Sequence, residues 1–86
     1  MYFVYVLYSV DFNRHYIGMT DNYERRLLQH NNGLTSSTKS FIPWIIVLIE
    51  EFKSREKARL REKYLKSAAG RRWRKNNIIW PRGATE

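Results

Sequence analysis

The chain has 86 residues, of which 43% are hydrophobic and 15% aromatic, a size and composition that give one small packed domain and argue against disorder or a second core. Cysteine is absent and histidine occurs only at His15 and His30, which excludes disulfides, a thiolate zinc centre and a histidine-rich metal site. The net charge is +8, and its uneven placement points to a polyanion: residues 1–52 hold four Lys/Arg against five Asp/Glu, residues 53–86 twelve against three.

Nucleic acid is the first candidate for that partner, an anionic membrane surface the second, and a merely well-solvated helical face the plain alternative. The apolar start is interrupted by Asp11, Asn13 and Arg14, so no signal peptide is expected. The longest apolar run, Phe41 to Ile49, is closed by Glu50 and Glu51 and is too short to cross a bilayer. A cytoplasmic protein without a membrane partner is the expectation.

Residues 1–9 are rich in Tyr, Val, Phe and Leu without helical gaps and read as a buried strand. Asp11-Phe12-Asn13-Arg14 supplies turn formers, and His15 to Thr20 is the returning strand, so residues 2–20 form an antiparallel hairpin. Gly18 marks a place where a ligand or another backbone approaches closely. Asp21 with Glu24 three residues on reads as a capping box opening a helix. Its apolar stripe is expected from Tyr23, Leu27 and Leu28, and Asn31-Asn32-Gly33 ends it. Leu34 to Phe41 is polar and aperiodic, hence a loop, and Trp44 to Phe52 is a third strand.

Ser54 opens a second helix in which Glu56 and Glu62 are the only acids among seven bases from Lys53 to Lys66. At 100° per residue Ala58, Leu65 and Ala69 fall together, with Leu60, Tyr64 and Ala68 continuing the arc. Lys57 and Arg61 intrude on it, explained only by long stems reaching water. Gly70 is expected to break this helix, and Arg71 to Lys75 to start a short last one. The fold class is α+β, a three-stranded antiparallel sheet flanked by helices in the order β-β-α-β-α-α. Residues 1–80 make the single domain and 81–86 a C-terminal tail.

Three groups of side chains invite a chemical reading. Tyr5 and Tyr16 lie on adjacent strands, where aromatic core packing is the simple account. Arg26 and His30 are one turn apart and share a helix face, either a solvated surface or a phosphate-binding fork beside a group that moves protons near neutral pH. Glu62 stands at the border of the apolar arc, where an ion pair with Lys66 is the simple account.

Together these residues resemble the GIY-YIG nuclease superfamily, in particular its small stand-alone bacterial branch, and are similar to the excinuclease C N-terminal catalytic domain. Phe3-Val4-Tyr5 stands for the first signature and Tyr16-Ile17-Gly18 matches the second unchanged. The family's arginine falls on Arg26, the histidine of some members on His30, and the glutamate on Glu62 within Ser54 to Glu62. Tyr64-Leu65-Lys66-Ser67 with Gly70-Arg71 is typical of the stand-alone branch, and the likeness spans roughly residues 2–75.

The resemblance implies an endonuclease that hydrolyses DNA phosphodiester bonds with one Mg²⁺ or Mn²⁺ ion held by Glu62. Tyr5 would be the general base or orient the water, and Tyr16 would bond around the water and phosphate. Arg26 would neutralise the phosphorane, and His30 would assist Tyr5 or a phosphate oxygen. A tyrosine with an ordinary pKa near 10 needs cations nearby to act as a base at neutral pH, which Arg26 and the metal would supply. Arg25, Lys39, Arg61, Lys66, Arg71 and Arg72 are the expected DNA contacts, with RNA as another polynucleotide partner. No small-molecule cofactor is expected.

Little sequence specificity and a role in DNA repair or processing complete the first reading. Two departures motivate a second, a weak or inactive nucleic-acid-binding module on the same scaffold. Met19 stands where many members carry lysine, and the family's asparagine falls on Arg74, with Asn76 and Asn77 out of register. A third reading, a partner-binding protein docking through Trp73 and Trp80, has less behind it. Oligomeric state is not legible.

Overall fold

The computed structural model describes residues 1–81, so all but the first residue of the expected tail lies outside it. Two strands, β1 (Tyr2–Ser9) and β2 (Arg14–Thr20), form the expected hairpin, and β3 (Ile45–Phe52) lies on the other side of β1. The sheet is antiparallel throughout in the order β2-β1-β3. Asn13 closes the hairpin with φ 50°, a left-handed conformation that asparagine tolerates, and its side-chain oxygen accepts from the Tyr8 hydroxyl at 2.9 Å.

Because alternate side chains of a strand face opposite ways, central β1 sorts the molecule into two cores. Val4 and Val6 face one side, where they meet Ile17, Ala58, Leu65 and Ile78. Tyr5 and Leu7 face the other and meet Trp44, Leu27 and Phe41. Helix α1 (Tyr23–Asn31) covers the tyrosine side. Helices α2 (Arg55–Lys66) and α3 (Ala68–Asn77) cover the valine side. The α+β class and the strand and helix order are as the sequence implies. Among the described residues no helix is long and apolar enough to cross a membrane.

Several local expectations are corrected. Helix α1 is capped by Asn22, whose side chain accepts from Arg25 N. Strand pairing runs through Thr20, so the chain leaves the sheet one residue later than a cap at Asp21 would need, and Asp21 pairs with Arg25 instead. The inward face of α1 is not Tyr23–Leu27–Leu28: Leu28 is 63% exposed while His30 is fully buried.

The second helix ends at Ser67 rather than Gly70. Ser67 is at once the C-cap of α2 and the N-cap of α3, its side chain accepting from Gly70 N. Ala68 and Ala69 therefore leave the apolar arc and stand exposed. Gly70 is buried where α3 touches α2, with the place of a Cβ only 2.6 Å from Leu65 Cα. Leu60 is also outside the core at 69% exposure.

The intrusion of Arg61 has a cause invisible in the helix alone. Its guanidinium makes two bonds to the Glu50 carboxylate on β3, at 2.7 and 3.1 Å, and lies 4.3 Å over the Trp73 ring. It thus ties β3, α2 and α3 together. Trp73 and Trp80 are likewise engaged internally, Trp80 against Tyr8 and His15 at 5.5 and 4.8 Å. Both are half-buried, so part of each ring is spent on the fold.

Removing the carboxylate leaves a half-buried cation without its fork. Glu50→Ala is therefore expected to lower unfolding stability by about 1.5–3 kcal/mol, the range for hydrogen bonds to charged groups. Glu50→Gln should recover part of it, as read by urea denaturation.

Candidate active site

The two tyrosines, the arginine and the histidine of the sequence analysis converge on the α1 side of the sheet. Tyr5 is opposite Gly18 in the β1–β2 ladder, and its ring lies across that glycine, with Cζ 2.5 Å from where a Cβ would stand. No larger residue leaves this space. The phenol is therefore carried out over the edge strand, where Tyr16 packs 6.2 Å away between ring centroids. His30 stands 5.9 Å from the Tyr5 ring and 4.9 Å from that of Tyr16.

The polar atoms form a directed chain. His30 Nε2 is 3.0 Å from the Tyr5 hydroxyl and Nδ1 is 2.8 Å from Thr38 Oγ1. The Thr38 hydroxyl donates to Thr35 O at 3.3 Å, so it accepts from Nδ1–H, and the unprotonated Nε2 accepts from Tyr5 O–H. Burial, and then the positive charge of Arg26, lower the His30 pKa to about 4, which keeps the imidazole neutral and Nε2 free as an acceptor at neutral pH.

Tyr5 departs from the expectation of an activated phenol. Burial pushes its pKa up to about 12, against the lowering hydrogen bond and charge of Arg26, with Tyr16 and Glu62 adding to the rise. Desolvation outweighs the cation. Arg26 is steadied by Gln29, whose side-chain oxygen accepts from Nη1 at 2.9 Å.

Glu62 reaches this group from the other layer. Helix α2 packs on β1 and β2, and the Glu62 carboxylate is near enough to act on the Tyr5 phenol. Its side chain is only 14% exposed, bonded by Lys66 Nζ at 3.1 Å and approached by Arg59 at 4.0 Å. The expected ion pair with Lys66 is thus real. It does not remove Glu62 from the site.

Among the described residues no three His, Asp or Glu side chains cluster into a protein-made metal cage. One half-buried carboxylate still suits a single hard cation that keeps water and phosphate oxygens as its other ligands. The surrounding lysine and arginine pairs show that Glu62 favours a positive neighbour.

The remaining candidates are spread around the molecule. Arg25 and Lys39 are exposed on the α1 side. Lys66 is engaged with Glu62, and Arg71 and Arg72 are exposed on α3. Arg61 is committed to Glu50, so its guanidinium serves the fold. Met19 packs into the valine-side core, and Arg74 is buried with Nε donating to Leu65 O at 3.0 Å. Neither reaches the tyrosine side.

A family model for the GIY-YIG catalytic domain matches residues 1–77. The chain belongs to the GIY-YIG family. Comparison with curated proteins and with solved structures finds no match. The GIY-YIG assignment makes this a nuclease-type domain, of a class that acts on nucleic acids.

Sequence reasoning missed Thr38 and Gln29. Gln29, three residues beyond Arg26 on the same helix, is recoverable from helical spacing. Thr38 is not, since nothing distinguishes it from Thr35, Ser36 and Ser37 in the same loop.

Two outcomes follow from this geometry. His30 has its folded pKa below the unfolded value, so the unfolded chain takes up the proton first as pH falls. Its contribution is complete above pH 6.5 and is lost as pH drops toward about 4, a change on the order of 3 kcal/mol. Denaturation midpoints of wild type and His30→Gln across that range should converge at low pH. Gly18→Ala should fold yet displace the Tyr5 ring, and His30 should then titrate above its native value by NMR.

Proposed function

We propose that the chain is a divalent-metal-dependent endonuclease that hydrolyses DNA phosphodiester bonds with little sequence specificity, in DNA repair or processing. The observation that carries this reading is the buried chain from Tyr5 through His30 to Thr38, with the Arg26 cation near its Tyr5 end. Family membership supplies the reaction class.

Magnitudes decide how Tyr5 acts. With a pKa of about 12, forming free phenolate at pH 7 costs about 7 kcal/mol. Moving the proton to His30 in the resting state spans a still larger gap, given its pKa of about 4. Tyr5 therefore rests as a neutral phenol whose oxygen receives a hydrogen bond from the attacking water. As the water oxygen bonds to phosphorus, its proton passes to Tyr5 and the phenolic proton to His30 Nε2 in one concerted movement. The bond to the 3′ oxygen breaks, and that oxygen takes a proton from solvent.

Arg26 supports this step twice. Its charge stabilises the oxygen of Tyr5 and offers a planar fork to the phosphorane. Tyr16 lines the same wall and bonds the phosphate or the water. Thr38 holds His30 in the tautomer the relay needs. Glu62 would hold one Mg²⁺ or Mn²⁺, which supplies Lewis-acid polarisation of the phosphate and stabilises the leaving oxygen. DNA is the proposed substrate, with RNA the other polynucleotide to be tried, and the cytoplasm is the proposed compartment.

The placement of Met19 and Arg74 favours a second reading, a nucleic-acid-binding module with little or no turnover, since neither adds a polar group to the tyrosine wall. The two separate in one assay of strand scission with Mg²⁺ or Mn²⁺. Under the nuclease reading Tyr5→Phe lowers the rate by about 10²–10⁴, the usual worth of proton transfer. Glu62→Ala abolishes metal-stimulated cleavage while binding and fold persist. Salt-sensitive binding without scission under either metal gives the second reading instead.

A further inference from the structure

At the hairpin tip the tyrosine-side core is extended to the surface by Phe41. Phe12 is 49% exposed, and its ring stands edge-to-face with Phe41 at 5.5 Å between centroids. The Arg14 guanidinium lies 4.7 Å over the Phe41 ring. Phe41 in turn contacts buried Trp44 at 6.4 Å. A ring and a guanidinium plane are thus presented to solvent on an aromatic base anchored in the interior.

Position relates this cluster to the site. Arg14 and Tyr16 are two apart on β2, so they face the same side of the sheet, about 7 Å from one another. A nucleic-acid strand rises about 3.4 Å per stacked base. The cluster is thus one to two nucleotides from the wall formed by Tyr5, Tyr16 and Arg26.

We infer that Phe12, Phe41 and Arg14 form a stacking platform for an unpaired base beside the scissile phosphate, which makes single-stranded or locally unpaired nucleic acid the substrate class. The inference rests on the nuclease reading and deepens it. Aromatic rings and arginine planes bind bases through their faces, which are open only when a base has left the double helix. Charge agrees: Arg14 and exposed Lys39 flank the rings, against one acid, Asp11, in the turn. The apolar patch is interrupted by Asp11, Asn13 and Arg14, which suits a single base better than the broad apolar face of a protein partner.

The test measures binding in EDTA, where the proposed metal-dependent scission is stopped, with short single-stranded and duplex DNA carrying 2-aminopurine as a stacking reporter. Phe12→Ala should weaken single-strand binding about tenfold, the scale of one stacked base, abolish reporter quenching and leave duplex binding nearly unchanged. Phe12→Tyr should restore both, and Phe12→Leu, which keeps bulk without a π face, should restore neither. Circular dichroism checks each fold, and the Tyr–Leu comparison stands if the alanine variant fails to fold.

Equal weakening on both substrates, or wild-type quenching with leucine, overturns the platform. So does a wild-type dimer in sedimentation that Phe12→Ala dissociates, which would assign the patch to a second copy. If the wild-type chain binds no polynucleotide, the nuclease reading fails as well. If it binds and cleaves while the Phe12 variants are indifferent, only the platform fails.

Discussion

A fully buried imidazole must have both nitrogens satisfied, since an unmatched polar atom in the interior costs about 1–3 kcal/mol. His30 meets that condition by joining three segments remote in sequence: β1 through Tyr5, α1 through its own backbone, and the 31–44 connection through Thr38. The connection is in turn fastened at its far end, at Trp44 just before β3. Thr38 O accepts from the Trp44 indole at 2.9 Å, and the Asn31 amide bonds both the N–H and the carbonyl of Trp44. Through these bonds a polar stretch with a single 3-10 turn, Lys39–Phe41, holds one fixed path. Gly18 is the other half of the constraint, because the Tyr5 ring needs the space above it to meet His30.

The same burial determines the electrical character of the site. Desolvation favours neutral phenol and neutral imidazole, leaving Arg26 as the formal charge beside the relay. A resting site of that kind attracts phosphate without having to expel a proton first. In the proposed reaction, reactivity then comes from geometry, with donor and acceptor already aligned, rather than from a preformed phenolate. Glu62, approaching from the opposite layer, adds the negative charge that a cation would balance.

What the sequence disclosed is what short-range chemistry controls. The gap-free apolar run of residues 1–9, the Ser54 cap, Gly33 after α1 and the sequence of strands and helices along the chain each depend on neighbouring residues, and each was readable. The exchange of Leu28 for His30 on the inward face of α1 was not, because hydrophobicity ranks leucine inside and only a partner on another strand makes histidine the better choice. Arg61 was unreadable for the same reason: its carboxylate lies on β3, eleven residues earlier. The break at Ser67 was hidden by Gly70, a stronger helix breaker by propensity that the structure uses for close packing. In the site, Tyr5, Tyr16, Arg26, His30 and Glu62 were brought together by the resemblance to the GIY-YIG superfamily, while the tautomer and the raised phenol pKa needed burial to be known.

Net charge overstates what the basic half offers a polyanion. Arg61 is held by Glu50, Arg74 caps the carbonyl end of α2, and Lys66 and Arg59 attend Glu62. The exposed cations that remain fall into two sets on opposite layers. Lys53, Arg55, Lys57 and Lys63 lie on or just before α2, Arg71, Arg72 and Lys75 on α3, and Arg14, Lys39 and the Asp21-paired Arg25 on the side of α1. One way for a phosphate backbone to touch both sets is across the β2 edge of the sheet. There the Tyr5 ring emerges over Gly18, and α2 packs on β2 with Glu62 close enough to act on the phenol. In the proposed reaction, that crossing is the one that would bring a phosphate past the relay.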